Sequence, residues 1–241
     1  MPALDICFSP ELLPLYSLPG KVVVVVDILR ATSSIVTALG EGVTHVFPVA
    51  TLEECAAYGQ EHGCLTAAER DGLPAPGFDL GNSPFGFLDK DRPVRGRALS
   101  ISTTNGTAAL RRSLAAEAVI VGAFLNLTAV VNYVRQQGRD VLVVCAGWKG
   151  QFCLEDTVFG GALAHRLADE FDVRGSDAAL AALHLWQQAA PDLAAYLLQS
   201  AHVRRLNSLE ASQDFGFCVQ IDTYAHILPT WQHDRLVRLP A

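Results

Sequence analysis

The sequence predicts an α/β fold of three layers, in which helices cover both faces of a mainly parallel sheet. Five consecutive valines at 22–26 form a short β-branched run, which is typical of a strand buried on both faces. Apolar residues at helical spacing follow directly, at Ile35, Val36 and Leu39. The same alternation of short apolar runs and amphipathic stretches continues to about residue 167, which is the rhythm of βα units.

The individual elements of this alternation can be read from the chain. Strands are expected at residues 4–8, 22–26, 45–50, 64–67, 98–102, 119–121 and 141–145. Helices are expected at 32–40, 52–62 and 103–114, from residue 126 or 128 to 137, and after Glu155 and Asp156. Thr51 has the side chain of a helix N-cap, so the second helix should begin directly after it.

The last third of the chain has a different character. A helix-rich subregion is expected over about 172–212, with helices at 177–190 and 191–200, the second starting at Pro191. Farther on, Phe215, Phe217, Val219 and Ile221 occupy alternate positions, which predicts a strand in the tail. A domain boundary could fall near 172–176, but one domain over residues 1–241 is favoured.

Residues 72–96 are dominated by Gly, Pro, Asp and Asn. A run of this length without regular structure is usually functional or disordered. Its apolar members, including Phe78, Leu80, Phe85 and Phe87, favour an ordered and packed loop.

Composition excludes some classes of partner. The net charge is −7 with 18% charged residues, and no Lys/Arg cluster offsets it, so nucleic acid is not expected to bind. A small anionic substrate needs only a few local cations and stays compatible with this balance. No apolar run reaches membrane-spanning length, so no membrane contact is expected. Association into a homo-oligomer is left open.

The six cysteines show no close pairing such as CxxC. Buried thiols in a reduced, intracellular protein are therefore expected, and a zinc site is not. The N-terminal segment lacks a basic stretch followed by a long apolar one, so no signal peptide is evident. We expect a soluble, cytoplasmic protein.

Chemically useful side chains follow the valine strand. Asp27 can hold a metal ion or act on a phosphoryl group, while Arg30, Ser33 and the start of the helix can hold an anion. The alternative is an ordinary strand-to-helix turn, with Asp27 bonded to the backbone and Thr32 or Ser33 as the N-cap.

A second loop, Thr103-Thr104-Asn105-Gly106, combines hydroxyls and a glycine before a helix and can cradle a phosphate or sulfonate. It lacks the GKS/T ending of a Walker A loop, so a nucleotide is not implied. A well-capped helix is the alternative explanation.

Two further strand ends carry acids. Glu155 and Asp156 are candidate Mg²⁺ ligands, although acids at a helix start also complement its dipole by roughly 0.3–1 kcal/mol each. Glu69 and Arg70 can serve as a metal ligand and an anion clamp, or form a surface turn. Lys149 and His202 can contact an anion. Equally, Lys149 can be a solvated surface residue, and His202 can belong to a basic helix end that complements the helix dipole.

Several short segments then match one family in order and spacing. They are VDILRATSSIVTAL, AAERDG, GFDLGNSP, STTNGTAAL, VGAFLN, CAG–G-F-LED and FGFCVQIDTYAHILP, between about residues 6 and 229. In these segments the chain resembles the 2-phosphosulfolactate phosphatase family. The resemblance implies an α/β/α fold and a Mg²⁺-dependent hydrolysis of 2-phospho-3-sulfolactate to sulfolactate and phosphate, a step of coenzyme M biosynthesis.

The matching segments carry most of the candidate residues. Catalytic roles are expected for Asp27, Arg30, Glu69 and Arg70, and Mg²⁺ binding for Asp27, Glu69, Glu155 and Asp156. Substrate contacts are expected for Ser33, Asn82, Ser83, Thr103, Thr104, Asn105, Gly106, Lys149 and His202, and the resemblance adds Asp79 as a lining position. The chain departs from the family pattern at Trp148-Lys149 and at 207–213.

Two questions of mechanism and class remain open at this point. A haloacid-dehalogenase-type aspartyl-phosphate needs a second acid two residues after the first, and Leu29 occupies that place, so direct attack by water is favoured. A non-catalytic protein that binds a phosphorylated or sulfonated acid is the competing class, and a phosphatase for a different phospho-acid is a third possibility.

Overall fold

The computed structural model describes residues 1–91, 93–207 and 212–239. Ten strands form one sheet in the order β1-β8-β2-β7-β9-β10-β3-β6-β4-β5. Their bounds are β1 Leu4–Cys7, β2 Val22–Val26, β3 His45–Pro48, β4 Leu65–Arg70, β5 Leu73–Pro74, β6 Leu99–Ser102, β7 Ala118–Gly122, β8 Val141–Cys145, β9 Pro229–Gln232 and β10 Arg235–Arg238. The predicted α/β class with a mainly parallel sheet is confirmed.

Helices flank this sheet. They are α1 Ala31–Gly40, α2 Leu52–His62, α3 Phe85–Leu88, α4 Gly106–Arg112, α5 Leu127–Gln137, α6 Leu154–Leu167, α7 Asp177–Ala189, α8 Leu193–Leu197, α9 Ala201–Asn207 and α10 Ser212–Cys218. Short 3-10 helices occur at Pro10–Leu15 and Phe124–Asn126. None of the helices in the described part of the chain is long and apolar enough to cross a bilayer.

The sheet consists of two parallel blocks joined by an antiparallel hairpin. Strands β1, β8, β2 and β7 are parallel neighbours, and so are β3, β6 and β4. The hairpin β9–β10 pairs antiparallel with β7 on one side and with β3 on the other. Three successive antiparallel pairings mean that the two blocks run in opposite directions.

The valine strand lies inside the first block. Val22–Val26 pairs with β7 and β8, and all five side chains are fully buried. A strand with parallel neighbours on both sides and helices on both faces has no solvent-facing position, which explains the unbroken run of β-branched residues. Its carboxyl end places Asp27 at the candidate site.

The start of α2 also follows from local sequence. Thr51 accepts a hydrogen bond from the Glu54 N–H at 3.0 Å, as expected of an N-cap. The helix ends at Gly63, whose φ of 61° is the left-handed conformation that glycine adopts without strain. In the loop at 72–96, Leu80 and Phe87 are buried and α3 is formed, as expected of a packed loop, whereas Phe85 is 36% exposed.

The predicted strand in the tail is wrong. Phe215 and Phe217 lie in the helix α10, Val219 follows it, and Ile221 is 43% exposed. Phe215, Cys218 and Val219 are buried at the spacing of one helix face. The helical period of 3.6 residues therefore describes this segment, although its apolar residues also occupy alternate positions as in a strand. The tail's strands are instead β9 and β10.

A second correction concerns the start of α8. Pro191 precedes the helix, which begins at Leu193, and Asp192 is its N-cap, accepting a hydrogen bond from the Ala195 N–H at 3.0 Å. A capping carboxylate therefore decides the boundary, not the proline. The expected helix-rich subregion is present as α7, α8 and α9, while residues 208–211 of the atypical 207–213 segment lie outside the described residues.

All six cysteines are buried and free, as expected. Cys153 precedes α6 and lies beside His202.

Candidate active site

A small pocket lies at the carboxyl end of β2. Six of its lining side chains are polar, namely Asp27, Arg30, Glu69, Asn82, Asn105 and His202, and the others are Leu29, Gly72, Trp148 and Leu206. Its free volume is about 20 Å³, which is room for roughly one water molecule. Polar residues from five separate segments of the chain, predicted individually from the sequence, thus converge on one cavity.

The loop between β2 and α1 is held by its own side chains. The Asp27 N–H donates to Thr32 Oγ1 at 3.0 Å, and the Ala31 N–H donates to Asp27 Oδ1 at 3.3 Å. Ser33 is fully buried and its hydroxyl donates to the Ile28 carbonyl at 2.8 Å. Thr32 and Ser33 therefore stabilise the loop, and only one oxygen of Asp27 is used by it.

Asp156 joins this loop to the one that follows β8. Its Oδ1 accepts a hydrogen bond from the Ile28 N–H at 2.9 Å, and its Oδ2 accepts one from the Gly147 N–H at 3.1 Å. Because both oxygens are engaged by backbone amides, Asp156 is placed to hold the two loops in register.

Burial and mutual repulsion affect two of the acids strongly. Burial raises the pKa of Asp27 to about 6, His202 opposes the rise, and the charges of Glu69 and Glu155 add to it. Burial also raises the pKa of Asp156 well above its ordinary value, with Glu155 and Asp27 contributing. Buried acids that disfavour each other's ionisation would be stabilised by a nearby cation.

Glu155 lies in the first turn of α6 and is 1% exposed. Its Oε1 is 2.6 Å from His202 Nδ1, while its buried Oε2 has no hydrogen-bond partner among the described residues. Cys153 Sγ is 3.9 Å from the same His202 nitrogen. A carboxylate with one satisfied and one orphaned oxygen is a candidate cation ligand, because leaving it unpaired costs free energy.

Glu69 and Arg70 diverge at the end of β4. Glu69 Oε1 accepts hydrogen bonds from the Gly72 N–H at 2.5 Å and from Thr104 Oγ1 at 3.1 Å, which ties the loops after β4 and β6 together. Arg70 donates to the Glu69 carbonyl at 2.6 Å and to Ser102 Oγ at 3.0 Å. Glu69 lines the pocket, whereas the Arg70 guanidinium supports the strands beside it.

Arg30 is fixed by a residue that the sequence analysis missed. Its Nη1 donates to Asp214 Oδ2 at 2.5 Å and its Nη2 to the Gly72 carbonyl at 2.7 Å. Ser83 Oγ donates to the other oxygen, Asp214 Oδ1, at 2.6 Å. The available signal for Asp214 was its position beside the apolar residues Phe215 and Cys218, which are buried. The prediction of a strand in that segment obscured this signal.

The loop before α4 approaches Asp27 closely. A methyl group at Gly106 would lie 2.7 Å from Ala31 Cβ and 2.8 Å from Asp27 Oδ2, so only glycine permits this contact. Thr103 Oγ1 accepts the Thr107 N–H at 3.3 Å, which is a capping role. Asn105 lines the pocket, and its Oδ1 accepts the Lys149 N–H at 3.1 Å.

The remaining candidates divide between the pocket and its surroundings. Asn82 is 5% exposed and its Oδ1 has no hydrogen-bond partner among the described residues. The Lys149 ammonium is exposed and pairs with Asp71 at 2.8 Å. Asp79 accepts hydrogen bonds from the Thr66 N–H and hydroxyl at 2.8 and 2.9 Å, so its carboxylate secures the loop to the start of β4.

Comparison of the sequence with known proteins identifies its family. A family model described as 2-phosphosulpholactate phosphatase matches residues 7–234. The chain belongs to the 2-phosphosulfolactate phosphatase family.

Relatives of similar length support this membership. A protein of Synechococcus sp. (strain JA-2-3B'a(2-13)) is 40% identical over 221 residues, covering 89% of this chain and 90% of the relative. One from Trichormus variabilis is 37% identical over 233 residues, with 93% and 94% covered, and one from Caldanaerobacter subterraneus is 36% identical over 210 residues, with 86% of each covered. Each is named a probable 2-phosphosulfolactate phosphatase.

The region that matches the 2-phosphosulfolactate phosphatase family contains every lining residue of the pocket. It also contains Asp214 of α10, Glu155 of α6 and Cys153, which precedes α6.

Proposed function

We propose that the protein is a Mg²⁺-dependent phosphatase that hydrolyses 2-phospho-3-sulfolactate, or a closely related phospho-acid, to the hydroxy acid and phosphate. One observation carries the proposal: a buried guanidinium, Arg30, shares a small pocket with the buried acids Asp27 and Glu69. Phosphoryl transfer needs this pairing of a cation for the phosphoryl oxygens with acids for a metal ion.

The acids present fit Mg²⁺. This ion prefers hard oxygen ligands and is usually bound through few carboxylates, with water and substrate oxygens completing its shell. Glu155 offers an unpartnered buried oxygen, and Asp27 uses only one oxygen for its own loop. Asp27 and Glu155 would hold the ion, Glu69 would assist, and Asp156 would keep the loops in place. Bound Mg²⁺ would supply charge neutralisation at the phosphoryl oxygens and a lowered pKa for a bound water.

The chain's own groups account for binding and orientation. Arg30, held by Asp214 and the Gly72 carbonyl, is positioned to donate to the transferring phosphoryl group. The amides of Asn82 and Asn105 line the same cavity and can orient polar substrate groups. Since the free volume of the cavity is about 20 Å³, substrate binding must enlarge it.

We infer direct attack by water. Asp27 lines the pocket beside Arg30 and can orient the attacking water by accepting a hydrogen bond from it; the water's proton passes to solvent, and the alcohol leaves with a proton from solvent. The position two residues later is Leu29, so no second acid is available there for an aspartyl-phosphate route.

The competing class, a protein that binds such an anion without turnover, is not favoured by the site. An anion binder gains nothing from Asp27, Glu69, Glu155 and Asp156 near its ligand, because each acid repels it. The proposal further includes a cytoplasmic location and a small anionic substrate as the principal partner, with neither nucleic acid nor membrane involved.

The test is phosphate release from the purified protein with 2-phospho-3-sulfolactate, phospholactate, phosphoglycerate and p-nitrophenyl phosphate in the presence of Mg²⁺. A preference for the sulfonate supports the substrate. Turnover of the other phospho-acids alone would retain the chemistry and discard that substrate. Tight binding without any turnover would replace the proposal by the binding-protein class.

A further inference from the structure

A second kind of metal donor set adjoins the pocket, and the two share His202. Cys153, Glu155 and His202 place a sulfur, a carboxylate oxygen and an imidazole nitrogen within 4.8 Å of one another, and all three residues are buried. His202 Nδ1 is the central atom, 2.6 Å from Glu155 Oε1 and 3.9 Å from Cys153 Sγ. The first two residues flank the start of α6 and the third lies on α9.

We propose that Cys153, Glu155 and His202 form a binding site for one thiophilic divalent transition-metal ion, such as Zn²⁺. The combination of thiolate, imidazole and carboxylate suits zinc and its neighbours in the transition series, whereas Mg²⁺ does not bind sulfur. The proposal concerns binding at this donor set and does not depend on the phosphatase activity proposed above.

The spacing is close to that of a tetrahedral site. Zinc–ligand bonds of 2.0–2.3 Å put neighbouring ligand atoms roughly 3.3–3.6 Å apart. The sulfur–nitrogen distance of 3.9 Å would have to shorten slightly, and the nitrogen–oxygen distance of 2.6 Å would lengthen as the metal replaces the hydrogen bond.

An independent observation points to a missing cation. Glu155 Oε2 is buried without a hydrogen-bond partner among the described residues, although native carboxylates at this depth are normally satisfied. A metal ion bound by Glu155 removes that deficit. Three protein ligands also leave a fourth position for water or a ligand oxygen, which is the pattern of zinc sites that take part in chemistry.

Metal binding here must displace the thiol proton. Burial raises the pKa of the Cys153 thiol well above its ordinary value, and the charges of Glu155 and Asp156 add to the rise. The sulfur therefore forms its bond to the metal as the S–H bond breaks and the proton passes to solvent. Because Glu155 is also a proposed Mg²⁺ ligand, the two ions would share or compete for this carboxylate.

Co²⁺ is the probe for the experiment, because its spectrum reports the ligands directly. Titration of the metal-free full chain with Co²⁺ should produce a near-ultraviolet sulfur-to-cobalt charge-transfer band and the intense visible bands of a four-coordinate ion. Zn²⁺ at equimolar concentration should remove both, and a large excess of Mg²⁺ should leave the charge-transfer band in place.

The variants assign the ligands. Cys153→Ser, with Cys153→Ala as a second variant in case the first does not fold, should lose the charge-transfer band and bind Co²⁺ at least tenfold more weakly. Cys64→Ser is the matched control, because that buried thiol lies between α2 and β4 and contacts the Tyr58 carbonyl. It should retain the band.

Three results would overturn the proposal. They are saturating Co²⁺ without a sulfur band in the wild type, a band that persists in the folded Cys153 variants, and displacement of Co²⁺ by Mg²⁺ at comparable concentration. Failure of the phosphatase assay with an intact cobalt spectrum would reject the proposed function and keep the metal site.

Discussion

Arg30 Nη1 lies 2.5 Å from Asp214 Oδ2, across 184 positions of sequence, and both side chains are almost completely buried. A buried charge pair of this kind does not in general add much stability over an apolar pair, but removal of one partner is costly because it leaves the other charge uncompensated. Asp214 therefore fixes where the Arg30 guanidinium points, and Ser83 fixes Asp214.

Asp214→Asn should lower kcat/KM by about 10- to 100-fold, which corresponds to the ~1.5–3 kcal/mol of a charge-assisted hydrogen bond. The loss arises because Arg30 keeps its charge but loses its orientation. Steady-state kinetics measure it, with Asp169→Asn, an exposed acid just after α6, as the control. Wild-type kinetics for Asp214→Asn would show that the pair does not position Arg30.

Arg30→Lys should lower kcat/KM at least 100-fold. The planar guanidinium of Arg30 bonds Asp214 and the Gly72 carbonyl through two nitrogens. A lysine ammonium has one nitrogen and cannot make both contacts and also reach a phosphoryl oxygen. Lys149→Ala, which removes an exposed ammonium paired with Asp71, should change kcat/KM by less than about fivefold, as expected for exposed ion pairs. A larger effect of Lys149→Ala than of Arg30→Lys would contradict this order of importance.

Asp27→Asn should abolish turnover and stabilise the metal-free protein at neutral pH. Burial raises the pKa of Asp27 from 3.8 to about 6, so the folded state binds a proton more tightly than the unfolded state does. Wild-type stability should then fall as pH rises from about 4 to about 6 and stay reduced above that range, by up to ~3 kcal/mol. The asparagine avoids this cost.

Urea unfolding in the presence of a chelator, at pH 4 and pH 8, measures that effect. The difference between Asp27→Asn and wild type should be near zero at pH 4 and positive at pH 8. A variant that is less stable than wild type at pH 8 would mean that the ionised Asp27 carboxylate stabilises the folded state, which is the opposite of the expected sign.

Gly106→Ala should lower activity strongly, because the added methyl group would meet Ala31 Cβ at 2.7 Å and Asp27 Oδ2 at 2.8 Å. Such overpacking costs about 1–3 kcal/mol of stability and displaces the carboxylate. Gly216→Ala is the matched control: it lies in α10, has nothing within 4 Å of the added carbon, and should stabilise by ~0.5–1 kcal/mol. Equal activity of both variants would contradict the close approach of Gly106 to Asp27.

Local signals made much of the fold predictable. The five valines of β2 and the Thr51 cap of α2 are determined by neighbouring residues, and both elements begin where the sequence indicates. The β9–β10 hairpin between two parallel blocks was not predictable in this way, because its pairing with β7 and β3 is set by contacts across more than a hundred residues.

The candidate site shows the same division. Asp27, Glu69 and Asn105 lie at or just after the carboxyl end of a strand, where ligands bind in α/β sheets, so each could be chosen as a candidate from the sequence alone. That they share one pocket could not be predicted in this way, because β2 and the block that contains β4 and β6 run in opposite directions. Asp214 and Cys153 could not be placed similarly, since their partners Arg30 and His202 are distant in sequence and come close only through the packing of α9 and α10.

Phosphate release from 2-phospho-3-sulfolactate by the wild type and by Asp27→Asn, each with Mg²⁺ and with a chelator, is the decisive assay for the buried acids. We expect turnover by the wild type that the chelator abolishes and Mg²⁺ restores, and none by Asp27→Asn under either condition. Equal turnover with and without the chelator, or full activity of Asp27→Asn, would contradict the assignment of the buried acids to a metal-dependent phosphatase site.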